Sequence, residues 1–192
     1  MTFAVAAGFS PLSQNLELKA RCPDLARARN GAIEVGGVLH AILHQTDTYF
    51  RAINGRLKVR EILEQPANRA GPSIGRAELI WYDRPNDLEA RTCNYKVVPI
   101  DNAPEVIVAL TRALGVRGTV RKTRELHLWH NVRIHLDLVE NLGTFIEFEA
   151  VITPAAEFGP EASAGRIIEL RRALGIGERD LISHSYSDLL KL

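Results

Sequence analysis

Charged residues in this chain recur two apart, and the repeats come in both signs. Glu17 and Lys19 form one pair, Lys58 and Arg60 another, Lys122 and Arg124 a third. Arg133, His135 and Asp137 form a triplet, and Glu147 and Glu149 an acidic pair. Residues two apart on a strand share a face. Those between and beside them are Leu16, Leu18, Leu57, Val59, Val132, Ile134, Leu136, Ile146 and Phe148, which suit a buried face. On an open sheet such charges would meet water and pair across strands for little net gain. Closing the sheet would instead gather them around one lumen. The cations could neutralise and orient a run of phosphates. The carboxylates could hold a hard divalent ion, Mg²⁺ or Mn²⁺, which bridges phosphate oxygens. Either set alone would repel itself; with metal and polyphosphate bound together, the charges balance. The pattern predicts a metal-dependent site for a triphosphate.

The elements that must position these side chains follow from the same alternation. Strands are expected at 15–21, 47–51, 56–60, 77–84, 91–97, 119–129, 132–138 and 144–152. Asn54-Gly55 marks a hairpin turn, and Asn141-Leu142-Gly143 a second turn. Helical spacing predicts a helix from Pro23-Asp24 to Val35, stopped by Gly36-Gly37. A second follows Asp101 and Pro104 as far as Gly115, with Val106, Ile107, Leu110 and Leu114 on one face. A third is led by Ser163 or Gly165, with Ile167, Leu170 and Leu174 inward and Gly175 after it. A short terminal helix over 186–192 should dock through Leu189 and Leu190. Segments 62–75 and 153–165, with their prolines and glycines, are expected as mobile loops. No repeat or low-complexity tract interrupts the chain.

Composition narrows the function classes. At 192 residues the chain suits one domain able to bury its own core. Lys+Arg total 24 against 23 Asp+Glu, and the net charge of +1 excludes a basic nucleic-acid coat or a polybasic membrane binder. Cys22 and Cys93 are too few for a disulfide framework or a four-thiolate zinc site, so both read as reduced thiols of a cytoplasmic protein. No apolar run nears the ~18 residues that span a bilayer. Met1–Phe9 lacks the cationic flank of a signal peptide. Strand parity keeps His127, His130 and His135 from converging on zinc. Gly175-Ile176-Gly177 lacks the ending of a phosphate-binding loop. Trp81, Trp129 and the tyrosines form no stacking series for single-stranded nucleic acid. Ser183, His184 and Ser185 are only sequence neighbours, which does not make a nucleophile and its base.

At the charged blocks the sequence resembles the CYTH family, the triphosphate tunnel metalloenzymes, whose N-terminal signature is E-x-E-x-K. The matching stretch is Asn15-Leu16-Glu17-Leu18-Lys19. Further matches are 45–50, 55–61, 78–85, Lys122-Thr123-Arg124, 132–137 and 142–149, with Ser185–Leu190 at the end. The segments are most similar to the CyaB-type class IV adenylate cyclases. The resemblance implies an α+β fold: an antiparallel eight-stranded closed tunnel or barrel with a charged lumen, flanked by three to four helices. It implies one such domain over 14–192 behind a tail at 1–13. Glu17, Asp137, Glu147 and Glu149 would hold Mg²⁺ or Mn²⁺, and Glu147, Glu149 and Lys19 would be catalytic. Lys58, Arg60, Arg84, Lys122, Arg124 and Arg133 would bind the substrate. Asn15 stands where the motif has its first Glu, so a second metal should bind more weakly here. Three activities fit: a class IV cyclase making cyclic AMP and pyrophosphate from ATP, a triphosphatase acting on inorganic or thiamine triphosphate, and a nucleotide- or polyphosphate-binding module without turnover. Neither nucleic acid nor membrane is expected as a partner; an exposed barrel flank could support a homodimer.

Overall fold

Alternation closes the sheet on itself. The computed structural model describes residues 12–67, 71–153 and 156–192. Its elements are β1 (Ser13–Arg21), α1 (Leu25–Glu34), β2 (Val38–Phe50), β3 (Arg56–Pro66), β4 (Ile74–Asp83) and β5 (Arg91–Ile100). They continue with α2 (Ala103–Leu114), β6 (Val116–Trp129), β7 (Val132–Val139), β8 (Gly143–Ile152), α3 (Pro160–Ala173) and α4 (Tyr186–Leu189). The strands pair antiparallel in the order β1-β5-β4-β3-β2-β6-β7-β8, and β8 returns to β1. Closure removes both sheet edges.

The apolar half of each alternation faces outward and is covered by helices. Leu16, Leu18, Ile134, Leu136, Ile146 and Phe148 pack with Ala28 and Ala32 of α1 and Ile167 and Leu170 of α3. Phe50 and Val59 pack against Ala103, Val106, Ile107 and Leu110 of α2. Leu114, expected on that face, is instead 39% exposed. Helices α1 and α2 start where the sequence provides a side-chain cap, whereas α3 follows Gly159 without one. Asp24 accepts a hydrogen bond from the Arg27 backbone N–H, and Asn102 from that of Glu105. The β2–β3 turn needs Gly55: its φ is +66°, and a Cβ there would lie 2.7 Å from the Tyr82 carbonyl oxygen.

One end of the barrel is filled from inside. Tyr49, Val120, Val139, Phe145, Ile182 and Tyr186 form a cluster there, with Leu189, Leu190 and Leu192 behind it. The chain reaches that end because the Ile182 N–H bonds the Lys19 carbonyl and the Arg56 guanidinium grips Asp188, 2.8 Å away. Ser185 and Asp188 then cap α4 reciprocally.

Several boundaries differ from expectation. Strand β2 begins at Val38, nine residues before 47, because a bulge between Leu39 and Ala41 interrupts the alternation. Half of 62–75 is strand, since β3 runs to Pro66 and β4 starts at Ile74. Helix α3 starts at Pro160, where proline suits the first turn, and α4 is confined to Tyr186–Leu189. The remainder of the two expected loops at 68–70, 154 and 155 lies outside the described residues, as does 1–11 of the expected tail. No helix among the described residues is long and apolar enough to cross a membrane.

Candidate functional site

The inward half of the alternation encloses a cavity of about 560 Å³. Its walls include Asn15, Glu17 and Lys19 of β1, Asp47 of β2, Lys58 and Arg60 of β3, and Arg84 just past β4. Across from them stand Lys122 and Arg124 of β6, Arg133 and His135 of β7, and Glu147 and Glu149 of β8. Residues more than a hundred positions apart meet because β1 lies beside β8: Glu17 is opposite Glu149, and Lys19 opposite Glu147.

Toward the closed end the lumen is basic. The buried Asp47 carboxylate takes Lys58 Nζ at 2.9 Å, Lys122 Nζ at 3.1 Å, and Arg60 through Nε at 2.6 Å and Nη2 at 2.8 Å. Burial alone would raise the Asp47 pKa; the charges of Arg60, Lys122 and Lys58 outweigh it and hold the carboxyl well below its usual range. The lysines bear the converse strain. Burial, opposed by Asp47 but reinforced by Arg60 and Arg124, pulls Lys122 down to about 7. Burial and the Arg60 charge bring Lys58 to about 8. Three basic groups on one anion leave positive charge unmatched among buried side chains, and a polyanion would match it.

Toward the mouth the lumen is acidic. Glu147 Oε2 lies 3.2 Å from Lys19 Nζ and 3.1 Å from Arg124 Nη2. Glu149 accepts from Asn15 Nδ2 at 2.6 Å and lies 3.4 Å from Arg133 and 3.5 Å from His135. Glu17 takes Arg84 Nε at 2.8 Å, yet burial and the Glu147 charge raise its pKa above the usual range. Asp137 is placed differently. It has no exposed surface, and its oxygens take both Arg124 N–H groups at 2.6 Å and the Tyr186 O–H at 2.7 Å.

Among the described residues, no three His, Cys, Asp or Glu side chains are arranged as a ready metal cage. The chemistry of the donors nevertheless fits a hard cation. Glu17, Glu147 and Glu149 present carboxylate oxygens from adjacent strands, and Asn15 Oδ1 beside them is buried without a hydrogen-bond partner. The histidines do not converge: His135 faces the lumen, His130 sits in the β6–β7 turn with φ 50°, and His127 lies on the outer face of β6 with Glu125 at 3.8 Å. Ser183 Oγ and His184 Nδ1 do approach to 2.9 Å, but in the loop before α4, and neither lines the cavity.

The family model of the CYTH domain matches residues 13–186. The chain belongs to the CYTH domain family. No curated protein matches it. Among solved structures, the PH1012 protein from Pyrococcus horikoshii OT3 is 25% identical, covering 91% of this chain and 98% of its own at a TM-score of 0.73. A Vibrio parahaemolyticus protein proposed to be an adenylate cyclase is 19% identical over 93% of this chain and 98% of that one, TM-score 0.66. A Hippeastrum protein, proposed as an adenylyl cyclase and described as having a dominant triphosphatase activity, is 16% identical over 93% of each chain, TM-score 0.57. The last two likenesses concern the fold. CYTH proteins are typically metal-dependent enzymes that process triphosphates.

Within this CYTH lumen the structure gathers Glu17, Lys19, Lys58, Arg60, Arg84, Lys122, Arg124, Arg133, Glu147 and Glu149, and sets Asp137 behind Arg124. Sequence reasoning did not find Asp47 as the hub of the basic cluster, nor Tyr186, whose ring centroid lies 3.8 Å from Lys19 Nζ. It also missed Arg91, which is 3.5 Å from Glu17 and buried. Asp47 could have been found from its period-two relation to Gln45 and Tyr49; Tyr186 lies in the matched block Ser185–Leu190, but its place in the lumen follows only from the fold.

Proposed function

We propose that the protein is a divalent-metal-dependent enzyme acting on a triphosphate, and specifically a class IV adenylate cyclase that converts ATP to cyclic AMP and pyrophosphate. The observation that supports this is the two-sign lumen, with unmatched cations at the closed end and carboxylates nearer the mouth. Lys58, Arg60 and Lys122 would bind the terminal phosphates and meet the charge of the leaving pyrophosphate. Lys19, Arg84 and Arg124 would flank the phosphate chain, with Arg133 at the mouth. Asp137 serves by locking the Arg124 guanidinium in one plane through a bidentate pair. Glu17, Glu147 and Glu149 would hold Mg²⁺ or Mn²⁺, which neutralises charge on phosphate oxygens. The ribose 3′-hydroxyl would attack the α-phosphorus, giving its proton to water, as the bond from that phosphorus to the bridging oxygen breaks and pyrophosphate leaves with the bonding pair. Asn15 counts against efficient hydrolysis: it contributes no charge where the family motif has its first Glu, and its Nδ2 donates to Glu149, so a second ion there, and the water it would position, would be held more weakly.

The test is incubation of the purified protein with Mn²⁺ or Mg²⁺ and, separately, ATP, thiamine triphosphate and inorganic triphosphate, with products resolved by mass. Cyclic AMP with pyrophosphate supports the proposal. Orthophosphate from the smaller substrates would move the protein to the triphosphatases, and no product from any of them would make the lumen a binding site only. The double variant Glu147→Ala, Glu149→Ala should abolish turnover.

A further inference from the structure

Beyond the phosphate site the lumen changes character on one side. Going outward along β6, its inward residues run Lys122, Arg124, Leu126 and Leu128; along β2 they run Asp47, Gln45 and Leu43. Register places Ile62 of β3 opposite Gln45. Leu43 and Ile62 are buried, Leu126 packs on them, and Leu128 is 39% exposed at the rim. All four line the same cavity as the cations. An inorganic polyphosphate, hydrated and anionic throughout, has no surface to set against such a wall. A cavity of about 560 Å³ also falls within the size of sites that enclose small organic ligands.

Gln45 stands where the wall meets the charged floor. It is 3% exposed, it lines the cavity, and its Oε1 has no hydrogen-bond partner among the described residues. A buried acceptor left unmade is costly, and sites built around one select ligands that supply the missing donor.

We propose that the substrate carries, beyond its phosphates, an organic group with an apolar face and a hydrogen-bond donor, and that Gln45 determines specificity for it. The apolar face rests on Leu43, Ile62, Leu126 and Leu128, and an amine or hydroxyl donates to Gln45 Oε1. This rests on the triphosphate reading above. It adds that Gln45 and the apolar wall read the group beyond the phosphates.

Calorimetric binding tests both levels separately. Inorganic triphosphate, the four ribonucleoside triphosphates and thiamine triphosphate are titrated into wild type, Gln45→Leu and Leu126→Asn, with EDTA present so that nothing turns over. Wild type should bind at least one organic triphosphate about tenfold or more tighter than the inorganic one, a difference of about 1.4 kcal/mol. Gln45→Leu should cut that ratio about three- to tenfold, the worth of one neutral hydrogen bond. Leu126→Asn should cut it as well. Inorganic triphosphate, still bound by both variants, shows that they are folded. The inference is overturned if inorganic triphosphate binds wild type as tightly as every organic one, or if the variants weaken both kinds alike. Failure of every triphosphate to bind would overturn the triphosphate reading itself.

Discussion

Asp47 concentrates the electrostatics of the lumen in one side chain. Removing its charge leaves Lys58, Arg60 and Lys122 facing one another, so Asp47→Asn should cost about 3–5 kcal/mol of stability in urea denaturation. Inorganic triphosphate should recover part of the loss by returning negative charge to the same place. Titration gives a second prediction. Lys122 and Lys58 sit at about 7 and about 8, against a usual 10.5. Between those values and 10.5 the unfolded chain holds protons that the folded one has shed, so this contribution to stability grows as pH rises through the range. Binding has the opposite sign: a polyanion restores the lysine charges, takes up protons and binds less tightly as pH rises. Calorimetry with ATP between pH 7 and 8, in buffers of different ionisation enthalpy, should show net proton uptake, reduced in Lys122→Met. At Asn15 the expected outcome concerns metal: Asn15→Glu should raise the number of Mn²⁺ ions bound, read by direct titration, and an unchanged number would deny that half of the site a role. The cations themselves were legible from sequence, because strand parity dictates their direction. Asp47 and the orphaned Gln45 oxygen were not, since whether a polar group finds a partner depends on the strand across from it.

At the scale of elements, each strand of the barrel carries site and core on alternate residues. Phe148 lies between Glu147 and Glu149 and is fully buried on the outer side with α1 and α3 residues. Phe148→Ala should therefore cost about 3–5 kcal/mol, measured by chemical denaturation. Strands β1, β7 and β8 were readable because their alternation is unbroken from end to end. Strand β2 was not, since a bulge breaks it at 39–41 and the inward Leu43 is as apolar as the outward Ile42, so no polar–apolar alternation marks its first half. The 62–75 segment misled through Pro66, Gly71 and Pro72, although β3 simply ends at that first proline. The terminal helix expected over 186–192 is present as α4, only shorter, and Leu189 and Leu190 do dock. Its main anchor is Tyr186, whose hydroxyl bonds Asp137 and whose ring packs on Phe145 with centroids 5.0 Å apart and planes tilted by 55°. Tyr186→Phe keeps the ring and loses the bond, so the urea midpoint should fall by the equivalent of about 1 kcal/mol.

For the molecule as a whole, a net charge of +1 conceals a sorted interior: a cation-rich cluster around Asp47 deep in the lumen, Glu17, Glu147 and Glu149 nearer the mouth, and apolar residues on one flank of the mouth. Composition reports only the sum, whereas the order of charges along the lumen arises from closure of the barrel in a fixed register. Fold and family were legible because many ordered blocks specify them together. What sits beyond the phosphates was not, because Leu43, Ile62 and Leu126 look like core until closure turns them inward. The plugged end has a kinetic corollary. Where a ligand can enter and leave by one door only, occupants must queue. For the proposed cyclase reaction, with the phosphates deepest, pyrophosphate would depart only after the cyclic nucleotide in front of it had gone. Initial-rate measurements should then show pyrophosphate competing directly with ATP for the vacant protein, while cyclic AMP inhibits noncompetitively. The reverse pattern would mean that Tyr186 and the residues around it open a back exit during each turnover.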